Sequence, residues 1–158
     1  MEPQITELRE KQLIGMHTSM SLVHNKTLEL WGKFRSRIHE IENRVSSDFI
    51  SMQLYDPSYF VNFNPANNFV KWACVEVPNP ENVLDGMDHF TLKAGAYAVF
   101  HYKGSSADTS IFQYIFTEWL PNSKYQLDNR PHFEVLGSTY KNNDPHSEEE
   151  IWIPIKEK

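Results

Sequence analysis

The 158 residues suffice for one ordinary domain with a substantial core, and are too few for a regulator that joins a DNA-binding module to a sensing module. A formal net charge of -6 with no cluster of Lys and Arg argues against direct binding to nucleic acid or anionic lipid, and no run reaches the roughly 18 apolar residues of a membrane helix. The start MEPQITELREKQ has neither the basic end nor the apolar run of a secretory signal, and the single Cys74 can form no internal disulfide, so the expected home is the reducing cytoplasm.

In chain order, the segment Ile5 to Met20 mixes charges with Leu8, Leu13, Ile14 and Met16 and is expected to be an extended strand. Leu28, Trp31, Phe34, Ile38, Ile41 and Val45 then recur at spacings of three and four, which predicts an amphipathic helix that Asn25 caps. Phe49 to Tyr55 and Phe69 to Val77 are expected strands. The Pro- and Asn-rich loop between them, DPSYFVNFNPANN, is long for a compact domain and is expected to fold over something. Met87 to Leu92 and Tyr97 to Tyr102 predict strands either side of the Lys93-Ala94-Gly95 turn. Ser105 and Asp108 resemble a capping box for a helix from Ala107, in which Ile111, Ile115 and Trp119 share a face and which Pro121 is expected to stop. Strands at His132 to Leu136 and Ile151 to Ile155 complete the chain.

The order is strand, helix, strand, strand, given twice with an extra strand at the junction. Helices that alternate with hairpins favour an α+β fold over strict βαβ units, with internal repeats at about 4–80 and 86–157 of a single domain. An aromatic-rich helix in each half, around Leu30-Trp31 and Trp119-Leu120, adds to that reading.

The second half carries an ordered set of motifs: Ala94-Gly95-Ala96-Tyr97-Ala98-Val99-Phe100, then Gly104, Glu118-Trp119-Leu120-Pro121, Arg130-Pro131-His132-Phe133-Glu134 and Ile151-Trp152-Ile153-Pro154-Ile155-Lys156. These resemble the signature of GyrI-like domains, the effector-binding domains of AraC-type regulators. Ile14-Gly15, Leu30-Trp31 and Val75-Glu76-Val77 extend the resemblance over nearly the whole chain. The resemblance implies duplicated βαββ units with pseudo-twofold symmetry, two helices on an antiparallel sheet, and a central cleft for a lipophilic, often cationic, small molecule. It implies a stand-alone form without the helix-turn-helix module, whose relatives include a protein inhibitor of DNA gyrase and hydrolases of cyclopropane-bearing compounds. A protein partner or a homodimer stays open. Two departures are Cys74, where the family often has glycine and which is expected to alter the cleft floor, and Leu136, where it often has tyrosine.

Within His132-Phe133-Glu134-Val135-Leu136, alternation sets His132, Glu134 and Leu136 on one face and Phe133 and Val135 on the other, without deciding which face is covered. The resemblance implies that Glu134 lies in the cleft. A carboxylate among rings loses hydration, which a cationic ligand restores, and each ring face adds about 0.5 to 2 kcal/mol for that cation. Tyr55, Trp72, Tyr97, Phe100 and Trp119 are the candidate pocket rings, Trp31 is assigned to the core, and Glu118 is the competing acid. No HExxH pair or Cys-His grouping suggests a metal, no cofactor is expected, Cys74 reads as a buried inert thiol, and Lys103-Gly104-Ser105-Ser106 reads as a helix cap rather than a phosphate cradle. The leading expectation is therefore sensing or sequestration of an amphipathic cation. The alternatives are hydrolysis of a strained ring with Glu134 as general base, or a gyrase-inhibitor-like protein contact.

Overall fold

The computed structural model describes residues 1–158. Its elements are β1 (Gln4–Leu8), β2 (Lys11–Met20), α1 (Thr27–Ser36), a 3-10 turn (Ile38–Glu40), β3 (Phe49–Leu54), β4 (Phe69–Val77), β5 (Asp88–Leu92) and β6 (Gly95–Lys103). Next comes α2, a continuous helix that is α over Ser110–Tyr114, π over Ile115–Trp119 and α again over Leu120–Asn122, and then β7 (Tyr125–Leu127), β8 (His132–Leu136) and β9 (Glu148–Glu157).

The strands form one antiparallel sheet in the order β1-β6-β9-β8-β3-β4-β2-β5, with β7 added beside the end of β9. That order is a palindrome of roles. β3-β4-β2 carries α1, β8-β9-β6 carries α2, and the two triplets meet where β3 pairs with β8. The leading strands are exchanged: β1 precedes β2 but pairs with β6, and β5 precedes β6 but pairs with β2. Two helices thus lie against a large antiparallel sheet with pseudo-twofold symmetry, an α+β architecture. This exchange is also why the expected strand Ile5 to Met20 divides at Arg9-Glu10, since its two parts serve opposite ends of the sheet.

α1 stops at Ser36, short of the predicted Val45. Ser36 Oγ donates to the Lys33 carbonyl, and the Arg37 guanidinium turns away to the Asp85 carbonyl and Glu40. Ile38 and Ile41 still join the core under α1, by way of the 3-10 turn rather than a continued helix. Asn25 acts one residue before the helix cap, its Oδ1 accepting from the Thr27 N–H at 2.9 Å. α2 begins at Ser110 rather than Ala107 because Ser105 and Asp108 hold successive turns through the N–H groups of Ala107 and Ser110. Pro121 lies inside the last helical turn instead of ending the helix before it, where the preceding π turn accommodates its missing N–H.

One face of the sheet carries the helices. Leu30 and Phe34 of α1 bury against Ile14, Ala73 and Val75, and Ile111 and Ile115 of α2 bury against Ala98, Phe100, Ile151 and Ile153. The opposite face supplies a third cluster that draws Leu8 from β1 and Leu92 from β5 together with Met52, Trp72, Tyr97 and Phe133. β1 and β5 are the two ends of the sheet, so the sheet must curl strongly enough for this face to close on itself. Each fully buried aromatic or aliphatic side chain there contributes about 1.5 to 3 kcal/mol of transfer free energy. No helix is long and apolar enough to cross a membrane.

Candidate functional site

The strand register defines what lies between the helices. One row across the helix-bearing face reads Met16, Ala73, Ser51, Glu134, Ile151, Phe100. The row beside it reads Thr18, Lys71, Gln53, His132, and on the other side Leu136 and Glu149 follow along β8 and β9. α1 covers the apolar left of these rows and α2 the apolar right. At the seam the sheet is polar: Ser51, Gln53, Lys71 and His132 are all buried, and Glu134 and Glu149 are half-buried. Buried polar groups need partners, and the Lys71, Gln53 and Glu134 side chains find one another. With Gln53 Oε1 facing Lys71, Nζ donates to it at 2.5 Å, while Gln53 Nε2 donates to Glu134 Oε2 at 3.0 Å and to the His132 carbonyl at 3.3 Å. The reverse orientation would set an NH2 group against an ammonium, which settles the amide.

Burial governs the ionisation of this strip. It pushes the Glu134 carboxyl above the usual carboxylate range, against the pull of Lys71 and the Gln53 hydrogen bond, and it lowers Lys71 against the pull of Glu134 and Glu149. Glu149 rises to about 7, through burial first and the neighbouring Glu134 second. His132 falls to about 3 through burial and is a neutral ring at physiological pH. Tyr55 and Tyr140 are raised, each by burial first and by Glu134 among their further causes.

The long Asp56–Asn68 loop folds over one end of the seam. Phe60 stacks on Phe116 of α2 at 5.0 Å and on His132 at 5.4 Å, so a residue from the first half bridges to the helix of the second. Tyr55, Tyr59 and Phe69 pack behind it.

The candidates from sequence do not converge on one place. Glu134 and Tyr55 are neighbours at the seam, the Tyr55 ring standing 4.9 Å edge-on to His132. Phe100 shares the row of Glu134 but lies under α2, with Trp119 edge-on at 5.3 Å. Trp72 and Tyr97 point to the other face. There Trp72 stacks on His17 at 4.5 Å, and Tyr97 donates its hydroxyl to the Pro131 carbonyl at 2.8 Å. Glu118 and Trp119 line an outer groove of about 470 Å³ with Glu2 and Tyr114, on the far side of α2. Cys74, expected on the cleft floor, also belongs to the opposite face, because the Lys71, Ala73 and Val75 side chains take the helix side of β4. Burial pushes its thiol up, and Sγ donates to the Ile50 carbonyl. The seam residues that sequence reasoning missed are Lys71, Gln53, Glu149, Phe60, Phe116 and Tyr140. A lysine inside the apolar run Phe69–Val77 was the available signal.

The raised Glu149 has a consequence for stability. A carboxyl whose folded value lies above the ordinary 4.5 binds its proton more tightly when folded, so its contribution is fully present below about pH 4.5 and is lost as pH rises through about 7. Replacement of Glu149 by Gln should leave urea stability unchanged near pH 4.5 and raise it at pH 8 by about 1 kcal/mol, a figure discounted for solvent screening. Equal midpoints for the two proteins at pH 8 would contradict this.

A pseudo-symmetric pair of βαββ units meeting at a polar seam between two helices defines a class of small, duplicated ligand-binding domains. The chain belongs to the GyrI-like family: the model of the GyrI-like small molecule binding domain matches residues 1–156. It is similar to the transcriptional regulator BrlR of Pseudomonas aeruginosa, with 27% identity over 160 residues, and it covers 98% of this chain but only 56% of BrlR, about half of the regulator's length. In fold it is similar to SAV2435, solved with tetraphenylphosphonium bound, at a TM-score of 0.75 and 16% identity over 99% of this chain and 94% of that one. It also resembles the EcmrR C-terminal domain, at a TM-score of 0.74 and 12% identity over 99% and 98% of the two chains.

Proposed function

We propose that the domain takes up a lipophilic small molecule of positive charge at the seam between α1 and α2 and serves as the sensing part of a regulatory system. The observation that carries this reading is Glu134. It stands half-buried on the central strand pair, on the helix-bearing face, with the rings of Tyr55, Phe60, Phe116 and His132 close to its end of the seam. A carboxylate stripped of water gains from a ligand cation, and flat rings gain from both the charge and the apolar body, so the two features select the same class of compound. Support comes from the tetraphenylphosphonium complex of SAV2435, from the transcriptional regulator BrlR and from the DNA complex of EcmrR, which shares the fold. Sensing is favoured over sequestration because BrlR, to which the whole chain is similar, is a transcriptional regulator.

The test is calorimetric titration with tetraphenylphosphonium. The intact domain is expected to bind it, and Glu134→Gln to bind at least tenfold more weakly, since hydrogen-bonded or paired charges contribute about 1.5 to 3 kcal/mol. Equal affinity in the two proteins would remove Glu134 from the reading, and no binding by the intact domain would remove the reading itself.

A further inference from the structure

The charges along the seam are unequal in number. Lys71 on β4, Glu134 on β8 and Glu149 on β9 stand on the same face of the sheet, two carboxylates to one ammonium. Lys71 is only 9% exposed, and the Gln53 amide wires it to Glu134 through two hydrogen bonds. A charge removed from water must be paired or neutralised. Lys71 answers for one carboxylate, and the surplus one must hold either a proton or a positive charge brought by a ligand.

We infer that Lys71 sets the charge the cleft accepts: with its ammonium in place the seam takes up one positive charge in exchange for one proton of the Glu134 and Glu149 pair, and so selects monovalent lipophilic cations over dications of similar apolar area. This rests on the cation-binding reading above and adds valence and proton exchange to it. The exchange balances without covalent change, one ligand cation entering as one proton leaves to solvent.

The surroundings agree with this count. Opposite Glu149 is Tyr102 on β6; Glu134 is diagonal to it on β8; Tyr140 approaches from the loop between β8 and β9, with Arg35 of α1 near that tyrosine; and Lys71 reaches across from β4. α2 contributes the ring of Phe116 beside the neutral His132. Burial lowers Lys71 while Glu134, Glu149 and the Gln53 oxygen favour its charged form, and the Glu149 carboxyl, raised to about 7, is placed to carry the exchangeable proton near neutral pH. A dication would bring one charge more than the two carboxylates can balance against Lys71, leaving one positive charge unbalanced in a buried site.

The experiment uses the whole chain, tetraphenylphosphonium for the proton measurement, and for the valence comparison two alkyl-triphenylphosphoniums of matched size, one ending in a tert-butyl group as the monocation and one ending in a trimethylammonium group as the dication. Calorimetry at pH 7 in two buffers of different ionisation enthalpy should show proton release on tetraphenylphosphonium binding, rising as pH is lowered to 6. The dication should bind at least tenfold more weakly than the monocation. Lys71→Met should tighten the dication relative to the monocation by roughly tenfold or more, and Lys71→Arg should keep the original preference. Tetraphenylphosphonium binding with no proton release, or an unchanged preference in Lys71→Met, overturns this inference while leaving the cation-binding reading intact. Failure of the unmodified chain to bind any of these phosphoniums overturns both. The proton measurement needs no variant, so a Lys71→Met that fails to fold does not shield the inference.

Discussion

Gly15→Ala is expected to lower the stability of the domain by about 3 kcal/mol, which for a chain of this size moves the melting temperature down by roughly 6 to 12 °C. Gly15 lies in the middle of β2, the strand held on both sides, with Cys74 of β4 opposite on one edge and Asp88 of β5 opposite on the other. A β-carbon there would stand 2.1 Å from the Ala73 carbonyl oxygen and 2.5 Å from Cys74 Cβ. Both obstacles belong to a strand that is itself central, so no flexible side-chain end can move aside and β2 must shift against two partners at once. Cys74 occupies the room that Gly15 leaves, which explains why a side chain at 74 requires none at 15. Gly32 supplies the control. It lies in α1, nothing stands within 4 Å of its would-be β-carbon, and Gly32→Ala should stabilise by about 0.5 to 1 kcal/mol through helix propensity. Urea unfolding of the two variants should therefore diverge in opposite directions. A Gly15→Ala as stable as the parent would show that the β2 and β4 backbones have slack that this close approach denies.

The pattern of what could be read from sequence follows from burial. β8 was located to the residue, and the expected pairing of His132, Glu134 and Leu136 on one face holds, because helix and strand periods are written directly in the chain. Which face mattered was not readable from β8 alone, since its partner Ser51 lies far off in sequence on β3. β4 shows the limit more sharply. Seven of its nine residues are buried, on both faces, so Trp72 and Lys71 carry no alternation signal that could tell the helix side from the closed side. The aromatic residue therefore drew attention and the lysine did not, although a buried lysine is the rarer event and the stronger clue. Trp119 keeps the face that its i+8 spacing from Ile111 gives it, packing edge-on against Phe100 in the cluster under α2, while Glu118 beside it is exposed at the outer groove.

Arg130→Met is expected to cost about as much as Gly15→Ala, about 3 kcal/mol, although it lies only four residues from Glu134 in the same motif. Its side chain is 16% exposed; Nε donates to Asp128 at 2.7 Å, and Nη2 donates to the Ala96 carbonyl at 2.6 Å and the Ile155 carbonyl at 3.1 Å. The guanidinium lies over the Tyr97 ring at 4.7 Å and so close to Gly95 that a β-carbon there would meet Nη1 at 2.3 Å. One residue thus ties β6, β9 and the approach to β8 together, and methionine keeps the bulk while leaving Asp128 and two carbonyls without their donor. The loss should depend on pH. Burial alone would lift the Asp128 carboxyl, but Arg130 and the Asn129 N–H together hold it below the ordinary 3.8, so this part of the stability is present above about pH 4 and disappears as pH falls further. Denaturant midpoints for parent and Arg130→Met should accordingly differ most above pH 5 and draw together in acid. The same variant should retain tetraphenylphosphonium affinity within about threefold at a temperature where it is folded, because its contacts lie at Asp128, Ala96 and Ile155, several residues along β6 and β9 from the Phe100 and Ile151 row that holds Glu134. A loss of affinity as large as that of Glu134→Gln, with stability unchanged, would reverse the division of labour in this motif between a clamp that fixes the strand and an acid that faces the ligand.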